Sequence, residues 1–322
     1  MTLSITYLDD RTVPQAPDRV LGMVALSGPG ADLSIGLPLL SEAGHAGGLR
    51  EVWQATQPVE RRGIQDGIRF ARAGGLIFGM LRQPLAPDGA AEPARLAYDA
   101  IFTLIEQEAC PNLLRISNYV PDITRVEHGQ ERYRAFNAGR HRAFAARDRV
   151  AAHAPAACGL GCGGDALLLF FLAGTEPGRN IENPRQVSAF DYPARYGASR
   201  PIFARATIAA GMLFISGTAS IVGHESLHVG DVAAQTDETL RNVDALLAEA
   251  KRAGGALTRR DLQLKVYLRH ARDRAVIGAR LRDAGFAPPV AFLQAEICRP
   301  ELDVEIEAHA PWRTDAAGVA KF

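Results

Sequence analysis

The chain has 322 residues, enough for two domains of ordinary size or for one duplicated unit. Its 36 basic and 36 acidic residues cancel, which excludes the basic excess of a non-specific nucleic-acid or membrane-surface binder. Only Lys251, Lys265 and Lys321 are lysines, so the other basic residues are arginines, the side chain suited to holding carboxylates in two-pronged fashion.

The amino terminus, Met1 to Asp10, has neither a basic stretch nor an apolar one, so a cytoplasmic location is expected. The longest uninterrupted apolar run, Ala166 to Ala173, is far short of the roughly 18 residues of a membrane span. Four cysteines, Cys110, Cys158, Cys162 and Cys298, are too few for a disulfide scaffold. Cys158-Gly-Leu-Gly-Cys162 has no second Cys/His pair at matching spacing, so no metal is expected there and the stretch is read as a tight turn. No Gly-rich phosphate loop follows a strand, and no cofactor is expected.

In chain order, a repeat appears. Phe70-Ala-Arg-Ala73 precedes Gly75-Leu-Ile-Phe-Gly79, and Phe203-Ala-Arg-Ala206 precedes Gly211-Met-Leu-Phe-Ile-Ser-Gly217. Each is followed by a segment of helical period: Ala94 to Glu108, and Val232 to Ala253 with a stripe of Leu240, Val243, Leu246, Leu247 and Ala250. Strands come next, Leu113 to Val120 and Leu262 to Arg269, then helices, Glu131 to Arg147 and Asp273 to Ala284. Each copy closes on apolar strand material, Ala166 to Ala173 and Val290 to Ala308. The order predicts an α+β fold of two related halves, residues 1–173 and 201–322, each a mixed sheet with helices on one face. Residues 174–200, rich in Pro, Gly, Asn, Arg and Tyr, form a long connection expected to contribute to the site.

Strand alternation separates two faces. Leu262, Leu264, Val266 and Leu268 oppose Gln263, Lys265, Tyr267 and Arg269, and Val304, Ile306 and Ala308 oppose Asp303, Glu305 and Glu307. Leu293, Ala295 and Ile297 oppose Gln294, Glu296 and Cys298. With the apolar faces under the helices, Lys265, Tyr267, Gln294, Cys298 and Glu305 form either a concave polar wall or a plain solvated sheet face.

Phe214-Ile-Ser-Gly217, Thr239-Leu-Arg-Asn-Val243, Leu264-Lys-Val-Tyr267 and Val304-Glu-Ile-Glu-Ala308 resemble the YjgF-like (chorismate-mutase-like) reactive-intermediate deaminase fold over about 110 residues of the second half. The first half resembles it more faintly. That family's substrate-binding arginine falls on Val290, which counts against imine deamination. The whole chain resembles the chorismatases, including the 3-hydroxybenzoate synthases that release pyruvate from chorismate. The matching stretches are Ile116 to Asp122, Glu131 to His141, Asn183 to Phe190, Tyr192 to Gly197 with Phe203-Ala-Arg205, Ser216 to Ser220, and Gln294 to Cys298 with Glu305.

The resemblance implies cleavage of the enolpyruvyl ether of chorismate to pyruvate and 3-hydroxybenzoate, with some 4-hydroxybenzoate an open outcome. Glu305 would be the acid that protonates the enol methylene, with Glu296 facing it across a hairpin as a like charge. Cys298 bears on the product, since in the resembling family a cysteine there goes with aromatisation. Arg205, Arg195, Arg140 and Lys265 are the candidate carboxylate clamps, and Tyr119, Tyr192, Tyr196 and Gln294 candidate hydrogen-bonding partners. Hydrolysis of chorismate to a dihydroxycyclohexadiene carboxylate, imine deamination and simple ligand binding are the alternatives. No nucleic-acid or membrane partner is expected, and each half's likeness to a trimer subunit leaves a monomeric pseudo-oligomer and a homotrimer open.

Overall fold

The computed structural model describes residues 2–29, 31–40, 48–127, 129–286 and 290–314. Strands β1 (Leu3–Asp9), β2 (Val20–Ser27) and β3 (Leu49–Ala55) form a first sheet in the order β1-β3-β2, with the short strand Leu33–Ser34 at its edge. The strands β4 (Arg61–Gln65), β5 (Ile68–Ala73) and β6 (Leu76–Pro84) lead into α1 (Ala91–Gln107), β7 (Asn112–Pro121), α2 (Arg132–Ala146), β8 (Ala156–Cys162) and β9 (Ala166–Gly174). Their sheet runs β8-β7-β9-β6-β5-β4.

The connection holds β10 (Arg179–Ile181) and two short 3-10 turns, Ala189–Asp191 and Ala194–Tyr196. Beyond it come β11 (Ala206–Ala209), β12 (Met212–Ala219), α3 (Val232–Arg252), β13 (Gln263–Leu268), α4 (Arg274–Asp283), β14 (Val290–Gln294) and β15 (Val304–Pro311), in a sheet ordered β10-β11-β12-β15-β13-β14. Read from opposite ends, β8-β7-β9-β6-β5 and β14-β13-β15-β12-β11 are one topology. In each, the outer pair is parallel and the strand last in sequence inserts antiparallel at the centre. This is the α+β fold of two related halves.

The repeat differs in register from the sequence match. The hairpins superpose at their two-residue turns, Gly74-Gly75 between Ala73 and Leu76, and Ala210-Gly211 between Ala209 and Met212. Gly74, Ala210 and Gly211 have positive φ, as a tight hairpin requires. Phe70 therefore corresponds to Ala206, three residues beyond Phe203.

The helices form because each pairs an apolar stripe with a start signal or a close neighbour. Asp231 caps α3 by accepting from the Ala234 amide at 3.0 Å, and its Leu240, Val243, Leu246, Leu247 and Ala250 are buried under the third sheet. A methyl group at Gly139 would overlap the Ala91 carbonyl oxygen, so that glycine lets α2 lie against the start of α1.

The helices of each half cover one face of its sheet and enclose a core of their own. The other faces of the three sheets meet in a central core that joins Ile5, Val24 and Trp53 to Phe78, Tyr119 and Phe170 and to Phe214, Tyr267 and Leu293. One chain thus surrounds a central core with three sheets, the first carrying no α-helix among the described residues.

Three sequence readings are corrected. Cys158 to Cys162 is strand β8, lying parallel to β7; Gly159 and Gly161 admit Tyr133 and Glu296 at close quarters rather than making a turn. β14 and β15 are not a hairpin, because β13 lies between them. Leu293, Ala295 and Ile297 face the central core, and Phe292 faces the helices, the reverse of the expected side. No helix among the described residues is long and apolar enough to cross a membrane.

Candidate active site

A cavity of about 260 Å³ opens where β8 and α2 of the first half meet β12 and β15 of the second, roofed by the loop from Tyr192 to Arg205. Three larger hollows, of about 300, 550 and 670 Å³, contain no buried carboxyl group; their acids, Asp32, Asp148 and Asp9, are exposed. The smaller cavity contains one. Glu305 is 4% exposed, and burial pushes its carboxyl up to about 8, with the Arg115 guanidinium opposing the rise. A carboxyl so placed is a protonated acid at neutral pH.

β-sheet geometry puts it there. Glu305 lies between Ala219 of β12 and Tyr267 of β13, and an irregularity between Ile215 and Thr218 inserts one extra residue into β12 beside it. A methyl group at Gly217 would overlap Glu305 Oε1, so the side chain can take this position only over a glycine. Val304, Ile306 and Ala308, on the other face of β15, are buried under α3 and α4 and fix the strand.

Two buried arginines share the cavity. Arg140, on α2, donates to Asn137 Oδ1 at 2.7 Å and lies over the Phe136 ring at 5.4 Å. Arg205, ahead of β11, donates to the Val187 carbonyl at 2.7 Å and to Tyr192 Oη at 2.8 Å, stacking on Phe203. They are 3% and 4% exposed, and neither makes a salt bridge among the described residues; the Nε of each is buried without a hydrogen-bond partner. A buried cation lacking a counter-ion is costly unless a ligand supplies one. Two of them in one cavity are suited to a dianion.

The cavity also gathers Tyr192, Tyr196 and Cys298 of the expected set. Burial and the neighbouring Glu305 push the Cys298 thiol up to about 12, so it faces the cavity as a neutral thiol and not as a nucleophile. The other expected residues lie elsewhere. Tyr119 is fully buried between the sheets, its hydroxyl 2.9 Å from that of Tyr267. Lys265 is buried in the central core, 2.8 Å from Glu51 and 3.3 Å from Glu307, because the first sheet closes the face that alternation left open. Gln294 donates to the Arg269 carbonyl at 3.4 Å, and Arg195 is exposed, pairing with Glu225 at 2.9 Å. Val290 packs against the core of the second half.

Glu296 is exposed and accepts from Thr124 at 3.3 Å; it is not the like charge that raises Glu305, for which desolvation suffices. Sequence reasoning missed Tyr133, Cys158, Phe203 and Arg299 as lining residues. Tyr133 stood inside the matched Glu131 to His141 stretch. Arg299, which lies 4.3 Å from the Tyr196 ring and donates to the His224 carbonyl at 2.9 Å, follows Cys298 directly.

Known proteins bear on this arrangement. A family model described as chorismatase FkbO/Hyg5-like, N-terminal, matches residues 51–173. The chorismatase of Streptomyces rapamycinicus is 41% identical over 276 residues, covering 80% of this chain and 80% of that protein. A 3-hydroxybenzoate synthase of Streptomyces hygroscopicus is 37% identical over 276 residues, with 80% of each covered. A solved chorismatase crystal structure covers 96% of this chain and 98% of its own, with 30% identity and a TM-score of 0.85. Two repeated α+β halves with a buried acid at their junction thus define an enzyme of the fold seen in that crystal structure. The chain belongs to the chorismatase family.

Proposed function

We propose that this enzyme cleaves the enolpyruvyl ether of chorismate to pyruvate and 3-hydroxybenzoate. The observation that carries the reading is a protonated acid, Glu305, in one cavity with two buried arginines, neither of which makes a salt bridge among the described residues. Chorismate is a dicarboxylate whose enol ether is broken by adding a proton to the terminal methylene. Glu305 supplies that proton. The ether carbon becomes an oxocarbenium ion, which the adjacent ring hydroxyl captures as it loses its proton. That oxygen then leaves the ring with the pair of its ring C–O bond and becomes a pyruvate oxygen. The ether oxygen keeps the pair of its bond to the ether carbon, stays on the ring and becomes the phenol as the ring carbon bearing it gives up its proton.

Pyruvate and 3-hydroxybenzoate together contain the atoms of chorismate, so this outcome consumes no water. Hydrolysis to a dihydroxycyclohexadiene carboxylate consumes one. The neutral Cys298 thiol and the aromatic lining of Tyr133, Tyr192, Tyr196 and Phe203 favour the dry outcome. Arg140 and Arg205 hold the two carboxylates, and Tyr192, already tied to Arg205, orients one of them. Each half contributes: α2 and β8 come from the first, Glu305 and the roofing loop from the connection and the second. The protein incubated with chorismate is expected to yield pyruvate and 3-hydroxybenzoate in equal amounts by chromatography. A non-aromatic diene as sole ring product would overturn the aromatising reading, and untouched chorismate would overturn the activity.

A further inference from the structure

Deep to Glu305, where the three sheets meet, lie four charged side chains that the reaction does not touch. Glu51 comes from β3 of the first sheet, Arg115 from β7 of the second, and Lys265 and Glu307 from β13 and β15 of the third. All are at least nine-tenths buried. They form a ladder: Glu51 Oε2 is 2.8 Å from Lys265 Nζ, which is 3.3 Å from Glu307 Oε1, and the same oxygen pairs with Arg115 Nη2. Tyr267 donates to Glu307 Oε2 at 3.0 Å. Two carboxyl groups thus meet two cations.

The ladder ends beside the acid. Glu307 and Glu305 lie two residues apart on the same face of β15, and Arg115 is the charged group that opposes the rise of Glu305. Arg115 Nη1 is buried with no hydrogen-bond partner among the described residues, so its guanidinium is held from the Glu307 side. Where Arg115 sits therefore depends on how Lys265 and Glu51 share Glu307. We propose that Glu51 and Lys265 are positioning residues for Glu305: through Glu307 they fix the place of the Arg115 charge next to the acid. By this route the first sheet, none of whose described residues lines the cavity, acts on the chemistry.

The proposal rests on Glu305 as the proton donor. The groups sharing the cavity with Glu305 are Arg140, Arg134 and Tyr133 from α2, Glu131 just before it, Cys158 from β8, Tyr192, Tyr196 and Arg205 before β11, and Cys298, Arg299 and Glu301 before β15. His309, kept neutral by burial, and Tyr7, Tyr119 and Tyr267 surround the ladder. None of them changes in the variants below. Removing Glu51's charge leaves the ladder net positive and favours the Glu305 carboxylate; removing that of Lys265 leaves it net negative and favours the acid.

The test is an infrared titration of the Glu305 carboxyl band, identified by subtracting Glu305→Gln. It is run on the whole chain as wild type, Glu51→Gln, Lys265→Met and the double variant. The midpoint is expected to fall by about half a unit or more in Glu51→Gln, to rise by a similar amount in Lys265→Met, and to return to the wild-type value in the double variant. A packing disturbance would move both single variants the same way; that result, or no movement, overturns the proposal. If one single variant does not fold, the double variant must still lie back towards wild type from the other. The pH limb of kcat is read separately. A band midpoint that moves while the limb stays fixed supports the ladder and overturns Glu305 as donor.

Discussion

Glu305→Gln is expected to abolish turnover and at the same time to make the protein more stable above neutral pH. The amide keeps the volume over Gly217 but has no acidic proton, so kcat should fall at least about a thousandfold, within the range that general acid catalysis contributes. The wild-type carboxyl is raised from 4.5 to about 8 in the folded chain. A carboxyl raised in this way carries its full share of stability below pH 4.5 and loses it as pH climbs to about 8, because the unfolded chain ionises and the folded one does not. The loss reaches on the order of 4 to 5 kcal/mol above pH 8. Glu305→Gln escapes it. Melting curves of the two proteins should coincide near pH 4 and separate progressively up to pH 8, with the variant melting higher. The kcat of the wild type should be flat at low pH and fall tenfold per unit above about 8. A variant that melts lower than wild type at pH 8 would show that the carboxyl is ionised and satisfied in the folded state.

Arg140→Met and Arg205→Met should each weaken substrate binding by about ten- to a hundredfold, read as KM. A charge-assisted hydrogen bond contributes about 1.5–3 kcal/mol, and each 1.4 kcal/mol is tenfold. Because neither cation makes a salt bridge among the described residues, removing either should lower the melting temperature of the free protein far less than it weakens binding, which separates a binding role from a structural one. Arg195→Ala, at an exposed pair with Glu225, should change KM by less than about threefold. A large KM effect at Arg195 with none at Arg140 or Arg205 would reverse the assignment of the clamps.

The two halves were legible because period is written locally. The stripe of α3 and the alternation of β13 and β15 each follow from residues a few positions apart. Glu305 was legible as well, since Val304, Ile306 and Ala308 mark the core face and leave 305 on the other. What alternation cannot say is what covers that other face. Lys265 reads as a cavity residue from its strand, yet Glu51, over two hundred positions earlier, meets it in the core.

The first sheet itself escaped notice. Its strands pair out of sequence order, β3 lying between β1 and β2, and among the described residues they carry no α-helix to announce a unit. The insertion of β15 between β12 and β13 is likewise a long-range choice, and it removed the hairpin that would have set Glu296 opposite Glu305. Tyr119 belongs to a stretch shared with the chorismatases, but β7 is buried on both faces, so its pattern does not reveal that the phenol points to Tyr267.

The central claim is that Glu305 points its proton at the methylene of a dicarboxylate held by Arg140 and Arg205. A crystal structure with a chorismate analogue whose ether oxygen is replaced by a methylene group tests it most directly. The predicted result is one carboxylate on each arginine and the terminal methylene about 3–3.5 Å from a Glu305 carboxyl oxygen. An analogue bound with both carboxylates away from these arginines, or with its methylene turned from Glu305, would contradict it.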